Sequence, residues 1–304
     1  MHRLDKNIQS YSKTKSGNQA TLLWGLIVFL GLTTSLVWGR EHQKLNIHPR
    51  EEHALSGTAF AKTVESMDLA EREQAILNEI QKGNIPEFLR ELVAIQFSTI
   101  VGGEQYNLKF FCMPDYLSIG SDSDYFLIPM TPMLAQKVVD QLGGMLPTRK
   151  MVNLVWKAGA LKLTPQPIPP SSAMVTVDVF REHNAMVLKS RAASMAAFPL
   201  GSLVVGHKKD VVLSNRIFSK PDKVTIYGWH YPSGKTIQPL YSGHINWYTD
   251  YSHGIRVVLN TCLVNGVTRK LSEIVADPDL YELFSDEVSA METTRYDTSQ
   301  SNYP

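Results

Sequence analysis

An excess of charge of either sign is missing from this chain. Its 30 Lys and Arg offset 29 Asp and Glu over 304 residues, leaving a formal net charge of +1. A balance of that kind raises no long-range field for a polyanion, so no nucleic-acid partner is expected. Cysteine is also scarce, with only Cys112 and Cys262. Neither falls in a CxxC or CxxH pattern, which excludes a structural zinc ribbon or finger. One pair so far apart is compatible with a single disulfide or with two buried thiols, but not with a disulfide framework. The GxxxxGK[ST] loop and the zincin HExxH are both absent, so neither a P-loop nor a zincin is expected. The strand-like runs recur at no fixed period, which excludes a repeat protein.

What is present begins at the N-terminus. Residues 1–20 are polar and carry Arg3, Lys6, Lys13 and Lys15, and Leu22 to Trp38 then run without a charge. A positive flank before such a run reads as an export signal or an N-in anchor. The uncharged stretch from Ser16 to Gly39 reaches the length of about 20 residues that a bilayer requires. A transmembrane anchor or signal peptide is therefore expected over 21–39. The remainder would be membrane-anchored outside the cytoplasm, or secreted or periplasmic after cleavage. Residues 40–62, with His42, His48 and His53, read as a solvated tether. Residues 63–284 read as a globular region with a possible division at 164–173, and 285–304 as a flexible tail.

Periodicity predicts helices in the N-terminal part. Asp68 and Glu71 stand at capping-box spacing ahead of Leu69, Ile76, Leu77 and Ile80, and Gly83 ends that pattern. A second helix is predicted after Asn84, with Phe88, Leu89, Leu92 and Val93 apolar. Strands are predicted from about Tyr106, then helices over Pro132–Leu142 and from Pro147 to about Ala158. Thr164–Ala173, with four prolines, predicts extended backbone. Beyond it MVTVDVF, SLVVG, DVVLSNRI, KVTIYGW and IRVVLNTCLV read as strands, and helical spacing returns at Lys270–Ile274 and Pro278–Phe284. The expectation is an α+β fold: an N-terminal membrane segment, a helical N-terminal part, and a mainly antiparallel sheet in the C-terminal half.

Chemistry-bearing residues concentrate between Tyr227 and Arg256. That segment holds three of the nine histidines (His230, His244, His253), Asp250, five tyrosines and two tryptophans. His253 stands where a loop enters a strand, next to Gly254, and imidazole titrates near neutral pH. It is a candidate general base or ligand, with Asp250 three residues earlier to orient it. His207, His230, His244, Asp250 and His253 include residue types that bind zinc, so a zinc site is a possible cofactor arrangement that spacing alone does not select. Trp229 and Trp247 each lie near a histidine, where aromatic walls hold sugars or peptides but also pack strands. His207 and Lys208 could bind an anion at a sheet edge, although Gly206–Asp210 and Arg181–Asn184 both read as solvated turns.

Ser252-His253-Gly254-Ile255-Arg256 entering VVLN, with His230 some twenty residues upstream after an IYG strand, resembles the signature of the L,D-transpeptidases. The likeness spans about Lys223 to Leu259. It implies an exported, β-rich fold acting on peptidoglycan peptide. The family's cysteine nucleophile follows the glycine, and here Ile255 follows instead. Cys262 lies nine residues beyond His253, roughly 30 Å along an extended strand. Without a thiolate at the site there is no acyl-enzyme of that kind.

These readings combine into an expected hydrolase- or transferase-like protein of the cell envelope, acting on peptide or glycan. His253, Asp250, His230 and His244 would be its catalytic set. Arg256, Ser252, Trp229, Trp247 and His207 would bind substrate, Arg256 by receiving a carboxylate through its planar fork. The rival expectation is a non-catalytic envelope protein that binds peptide or glycan, or joins an assembly.

Overall fold

The computed structural model describes residues 43–299. The expected membrane segment at 21–39 lies outside them, and among the described residues no helix is long and apolar enough to cross a membrane. The expected tether is bound into the fold from Gln43 onward. Strand β1 (Gln43–Lys44) pairs antiparallel with Glu91 and Leu92, and the Leu45 amide donates to Arg90 O at 2.9 Å. Helix α1 (Gly57–Thr63), capped by Ser56, buries Phe60. Leu45 and Phe60 supply the apolar surface that a solvated tether would lack.

In helix α2 (Leu69–Gln81) the capping box is formed. The Asp68 carboxylate accepts from the Glu71 amide at 2.8 Å and Glu71 accepts from the Asp68 amide at 3.2 Å, a cap worth about 1 kcal/mol. The helix expected after Asn84 does not form. A single 3₁₀ turn, Glu87–Leu89, leads instead into strand β2 (Glu91–Val101). That strand pairs residue by residue with β3 (Glu104–Cys112) around Gly102-Gly103, and cross-strand pairing overrides the helical spacing of the apolar residues.

The hairpin β4 (Ser118–Ser121) and β5 (Asp124–Leu127) follows, then α3 (Pro132–Gln141), β6 (Gly144–Met145), α4 (Arg149–Ala158) and β7 (Leu161–Lys162). Thr131 and Thr148 cap the two helices, in the places where the prolines predicted helix starts. The proline stretch is pinned by Tyr251, whose hydroxyl accepts from the Ile168 amide at 2.7 Å and donates to Ile168 O at 3.1 Å. MVTVDVF then departs from expectation: most of it opens helix α5 (Val177–Ala192), capped by Thr176. Phe180, Asn184, Val187 and Arg191 bury one face of it, a 3.6-residue period that the alternation of valines concealed.

The rest of the chain supplies β8 (Val204–Val205), β9 (Lys209–Val211), α6 (Arg216–Ser219), β10 (Ile226–His230), β11 (Thr236–Tyr241), β12 (His253–Gly254), β13 (Val258–Val264), β14 (Val267–Lys270) and α7 (Leu271–Val275). One sheet runs β1-β2-β3-β13-β14, with β6 also on β13, and a second runs β11-β10-β9-β12. The fold is α+β with mixed sheets: the sheet that contains β2, β3 and β13 is antiparallel throughout, whereas β12 runs parallel to β9 in the second sheet and β7 runs parallel to β8. Two departures lie in the placing of elements: the longest helix, α5, interrupts the half expected to be strand, and β2 opens where a helix was expected.

Edge-on contacts among Phe97, Phe110 and Phe284 tie the first sheet to the C-terminal segment. The tail expected to be flexible is anchored as far as Tyr296. The Met291 amide donates to Val275 O at 2.8 Å, and the Tyr296 hydroxyl donates to Val212 O at 2.8 Å and accepts from the Thr225 amide at 3.0 Å. Both side chains are buried, and these two apolar anchors in an otherwise polar stretch hold it down.

Candidate active site

Strand β9 divides two polar clusters. In the sheet register Gly228 of β10 faces Lys209, and Lys209 faces His253 of β12. Successive strand residues point to opposite faces, so Lys209 and Asp210 serve different sides.

On the Lys209 side, Asp250 is the hub. Its Oδ1 accepts from the Ser252 amide at 2.8 Å and the Ser252 hydroxyl at 2.5 Å. Its Oδ2 accepts from Lys209 Nζ at 2.9 Å and the Tyr248 hydroxyl at 3.1 Å. Burial alone would raise this carboxyl, but the Lys209 ammonium and the Ser252 hydroxyl hold it well below the usual range. His253 Nδ1 lies 3.3 Å from Asp250 Oδ1 and accepts from the Asp250 amide at 3.0 Å. That bond makes Nδ1 the unprotonated nitrogen and leaves the proton on Nε2. Burial and then Lys209 push the His253 ring down, outweighing Asp250, so it stays neutral. Nε2 is buried with no partner, and the whole residue is sealed from solvent at 0% exposure.

The other expected site residues spread out around this hub. His244 stacks on Tyr248 at 4.2 Å between ring centroids and meets Tyr241 edge-on at 5.2 Å. Trp247 is half-buried in the same loop. Trp229 packs edge-on to His183 and Tyr251, on the far side of a bulge in β10. His207 Nε2 approaches Asp115 Oδ1 at 2.9 Å, although neither ring nitrogen is well aligned for a hydrogen bond. Of the two stretches read as solvated turns, Gly206–Asp210 is buried throughout, and Arg181–Asn184 is a turn of helix α5 with Arg181 and Glu182 exposed. Lys208 donates to Tyr251 O and is pushed down to about 7 by burial, and His183, inside α5, is wholly buried. Among the described residues no three His, Cys, Asp or Glu side chains gather into a metal-holding group.

The SHG element is packed too tightly to admit another atom. A Cβ on Gly254 would lie 2.6 Å from Tyr116 Cδ1 and 2.7 Å from Lys208 Cβ, so only glycine fits. Ile255 is buried and its carbonyl accepts from the Leu117 amide at 2.8 Å. Arg256 donates to Met113 O at 2.7 Å and Val204 O at 2.8 Å, with its guanidinium 4.4 Å above the Tyr116 ring. Its fork is thus engaged by backbone carbonyls.

Asp210, Tyr116, His230, Trp156 and Arg256 line a narrow crevice on the opposite side of β9, with about 10 Å³ of free volume, room for about one water. Asp210 Oδ2 accepts from the Tyr116 hydroxyl at 2.9 Å, and its Oδ1 has no partner. Burial pushes this carboxyl up to about 7 against the pull of Arg256 and the Tyr116 bond. His230 is brought here by backbone geometry: Gly228 and Trp229 both take positive φ, 109° and 55°. A tryptophan in that region costs about 1–3 kcal/mol. A Cβ on Gly228 would sit 3.4 Å from His230 Nδ1 and 3.5 Å from Asp210 Oδ2, in ordinary contact with both, so acid and imidazole border the same small space beside this glycine. His230 stacks on Trp156 at 5.4 Å, and burial pushes it down to about 4. Asn153 Oδ1 accepts from the Tyr227 hydroxyl at 2.9 Å and lies 3.2 Å from His230 Nε2. An amide oxygen there holds the proton on Nε2 and leaves Nδ1, on the Asp210 side, as a base.

No protein-family model, curated protein or solved structure matches this chain. Its chemistry is therefore read from the site alone. The structure pairs His253 with Asp250 and places His244 beside them through Tyr248, but it separates His230 from all three. Asp210, Tyr116, Trp156 and Asn153 were not singled out from sequence. For Asp210 a signal existed: HKKD sits between two Val-Val pairs, a frame that suits buried strand better than solvated turn. Cys112 is near Arg256 and Asp210, yet burial raises its thiol to about 12, which makes it inert as a nucleophile.

Proposed function

We propose that this protein hydrolyses or transfers amide bonds in peptides, with Asp210 as the general acid and His230 as the general base. The observation that carries this reading is the shared space above Gly228, into which a neutral carboxyl and an unprotonated imidazole nitrogen both face. Two titratable groups pushed apart by their surroundings mark acid and base roles. As the oxygen of water bonds the carbonyl carbon, His230 Nδ1 takes the water proton. Asp210 gives its proton to the leaving nitrogen as the C–N bond breaks, and the proton on His230 then returns to Asp210. Transfer follows the same route with an acceptor amine in place of water.

A peptide suits the crevice better than a glycan, because glycosidases use two carboxylates flanking the bond and one carboxylate lines this crevice. The SHG resemblance also favours a peptide, with peptidoglycan fragments as its source. In this reading His253 and Asp250 support β9 rather than touch substrate. Turnover of peptidoglycan peptides should follow a bell-shaped pH profile. The active form has His230 neutral, above about 4, and Asp210 protonated, below about 7. Asp210→Asn should remove the acid and lower turnover by about 10²-fold or more. An Asp210→Asn protein as active as the parent would sink the proposal. Binding without turnover is the second reading, favoured by the absence of a cysteine after Gly254, and it would show as peptide affinity with no product at any pH.

A further inference from the structure

The crevice has a cationic edge that the proposed chemistry does not use. Lys162 lies on β7, where its register partner on β8 is Val205, itself a wall of the crevice. Its ammonium sits 4.1 Å above the Trp156 ring, whose stacking partner is His230. Lys162 is half-buried, and among the described residues no carboxylate pairs with it. Trp156 adds an indole N–H that is buried without an acceptor. Two donors lacking an acceptor therefore meet on one aromatic plane beside the candidate base. Arg256, the cation expected from sequence to take a substrate carboxylate, is occupied by Met113 O and Val204 O.

We propose that Lys162 receives a carboxylate of the peptide substrate and so sets which bond reaches His230. This rests on the reading of the crevice as a peptide site. The ammonium-to-Trp156 and Trp156-to-His230 spacings, 4.1 and 5.4 Å, together fall within the reach of about three extended residues, roughly 10 Å. The carboxylate recognised is thus within two or three residues of the scissile amide. Both a free C-terminus and an acidic side chain supply that group. An ammonium on an indole face has part of its hydration shell already stripped, so a carboxylate can approach it with less water to displace.

The test measures binding to the full-length Asp210→Asn protein by titration calorimetry, so that turnover does not consume the ligand. Three probes are compared: N-acetyltrialanine, its C-terminal amide, and an amidated tripeptide with aspartate at the centre. The free acid should bind at least about tenfold more tightly than the amide, in line with a hydrogen bond to a charged group. Lys162→Gln should abolish that preference and Lys162→Arg should retain it. If the aspartyl peptide also gains affinity, the recognised group includes side-chain carboxylates; if it does not, the terminal carboxylate is the determinant. Equal affinity for acid and amide, a preference that survives Lys162→Gln, or no binding of any probe would each overturn the inference. Cleavage of amidated and free peptides alike by the parent protein would refute Lys162 while sparing the acid–base reading. Carboxylate preference without cleavage at any pH would do the reverse.

Discussion

Asp250 and Asp210 flank the same short strand, and the protein treats them in opposite ways. Asp250 accepts four hydrogen bonds, one from a lysine, and is held as an anion. Asp210 accepts one from Tyr116, keeps a bare oxygen, and is pushed up to about 7. A fully satisfied carboxylate is a brace, because each bond made to the charged form stabilises that form. An under-satisfied one keeps its proton within reach of neutral pH and can give it away. The SHG region, which looked most reactive in sequence, is the braced side. The side that holds the proposed acid and base is the one whose glycine is Gly228.

The largest effect should come from breaking the brace. Asp250→Ala leaves Lys209 buried beside a neutral His253, and stranding a buried charge costs about 3–5 kcal/mol. Urea unfolding should show that loss, and a drop under about 1 kcal/mol would mean that Lys209 finds another partner. Next, His230→Gln keeps the bulge but removes the base, so turnover should fall by about 10²-fold while stability changes little. Gly254→Ala drives a methyl into Tyr116 and Lys208, which should lower stability by about 1–3 kcal/mol in thermal melts.

The smallest and sharpest contrast is in the sign of the pH response. Asp250 titrates below its ordinary 3.8, so its contribution is present above that pH and is lost as pH falls. Asp210 does the opposite. Between 3.8 and about 7 the folded protein keeps a proton that the unfolded chain has released, and stability falls as pH rises through that window. Asp210→Asn should therefore stabilise the protein more at pH 8 than at pH 5, by at least about 1 kcal/mol. Equal gains at both pH values would place the Asp210 pKa near its ordinary value and would remove it as the acid.

Local signals in the sequence predicted local structure well. The capping box at Asp68, the helices opening near Thr131 and Thr148 and the strands at Ile226 and Val258 all follow from patterns within a few residues. Where the partner lay far away, the pattern misled. Leu92 and Val93 had helical spacing, but β1 claimed the first and β3 the second, and the valines before Phe180 alternated like a strand although their neighbours packed with helical period. The site failed to show for the same reason. Asp250 and His253 are three apart and could be paired from spacing, whereas Asp210 meets Tyr116 across 94 residues and Asn153 meets His230 across 77. The positive φ at Trp229, which swings His230 away from His253, has no one-dimensional mark beyond the glycine before it.

Arg256 has one further consequence. Its two donated hydrogen bonds reach the chain just after β3 in one sheet and β8 beside the other, and the Tyr116 beneath it is bonded to Asp210 on β9. One side chain therefore reinforces the join between the stretch after β3 and β8, already made by the Val204 amide donating to Pro114 O at 2.8 Å, and through Tyr116 extends it to β9. Amides of β3 and β9 should then exchange with solvent as a single cooperative unit rather than sheet by sheet. Slow opening of the crevice would have to draw on motions of the β10–β11 hairpin, which lies outside that join.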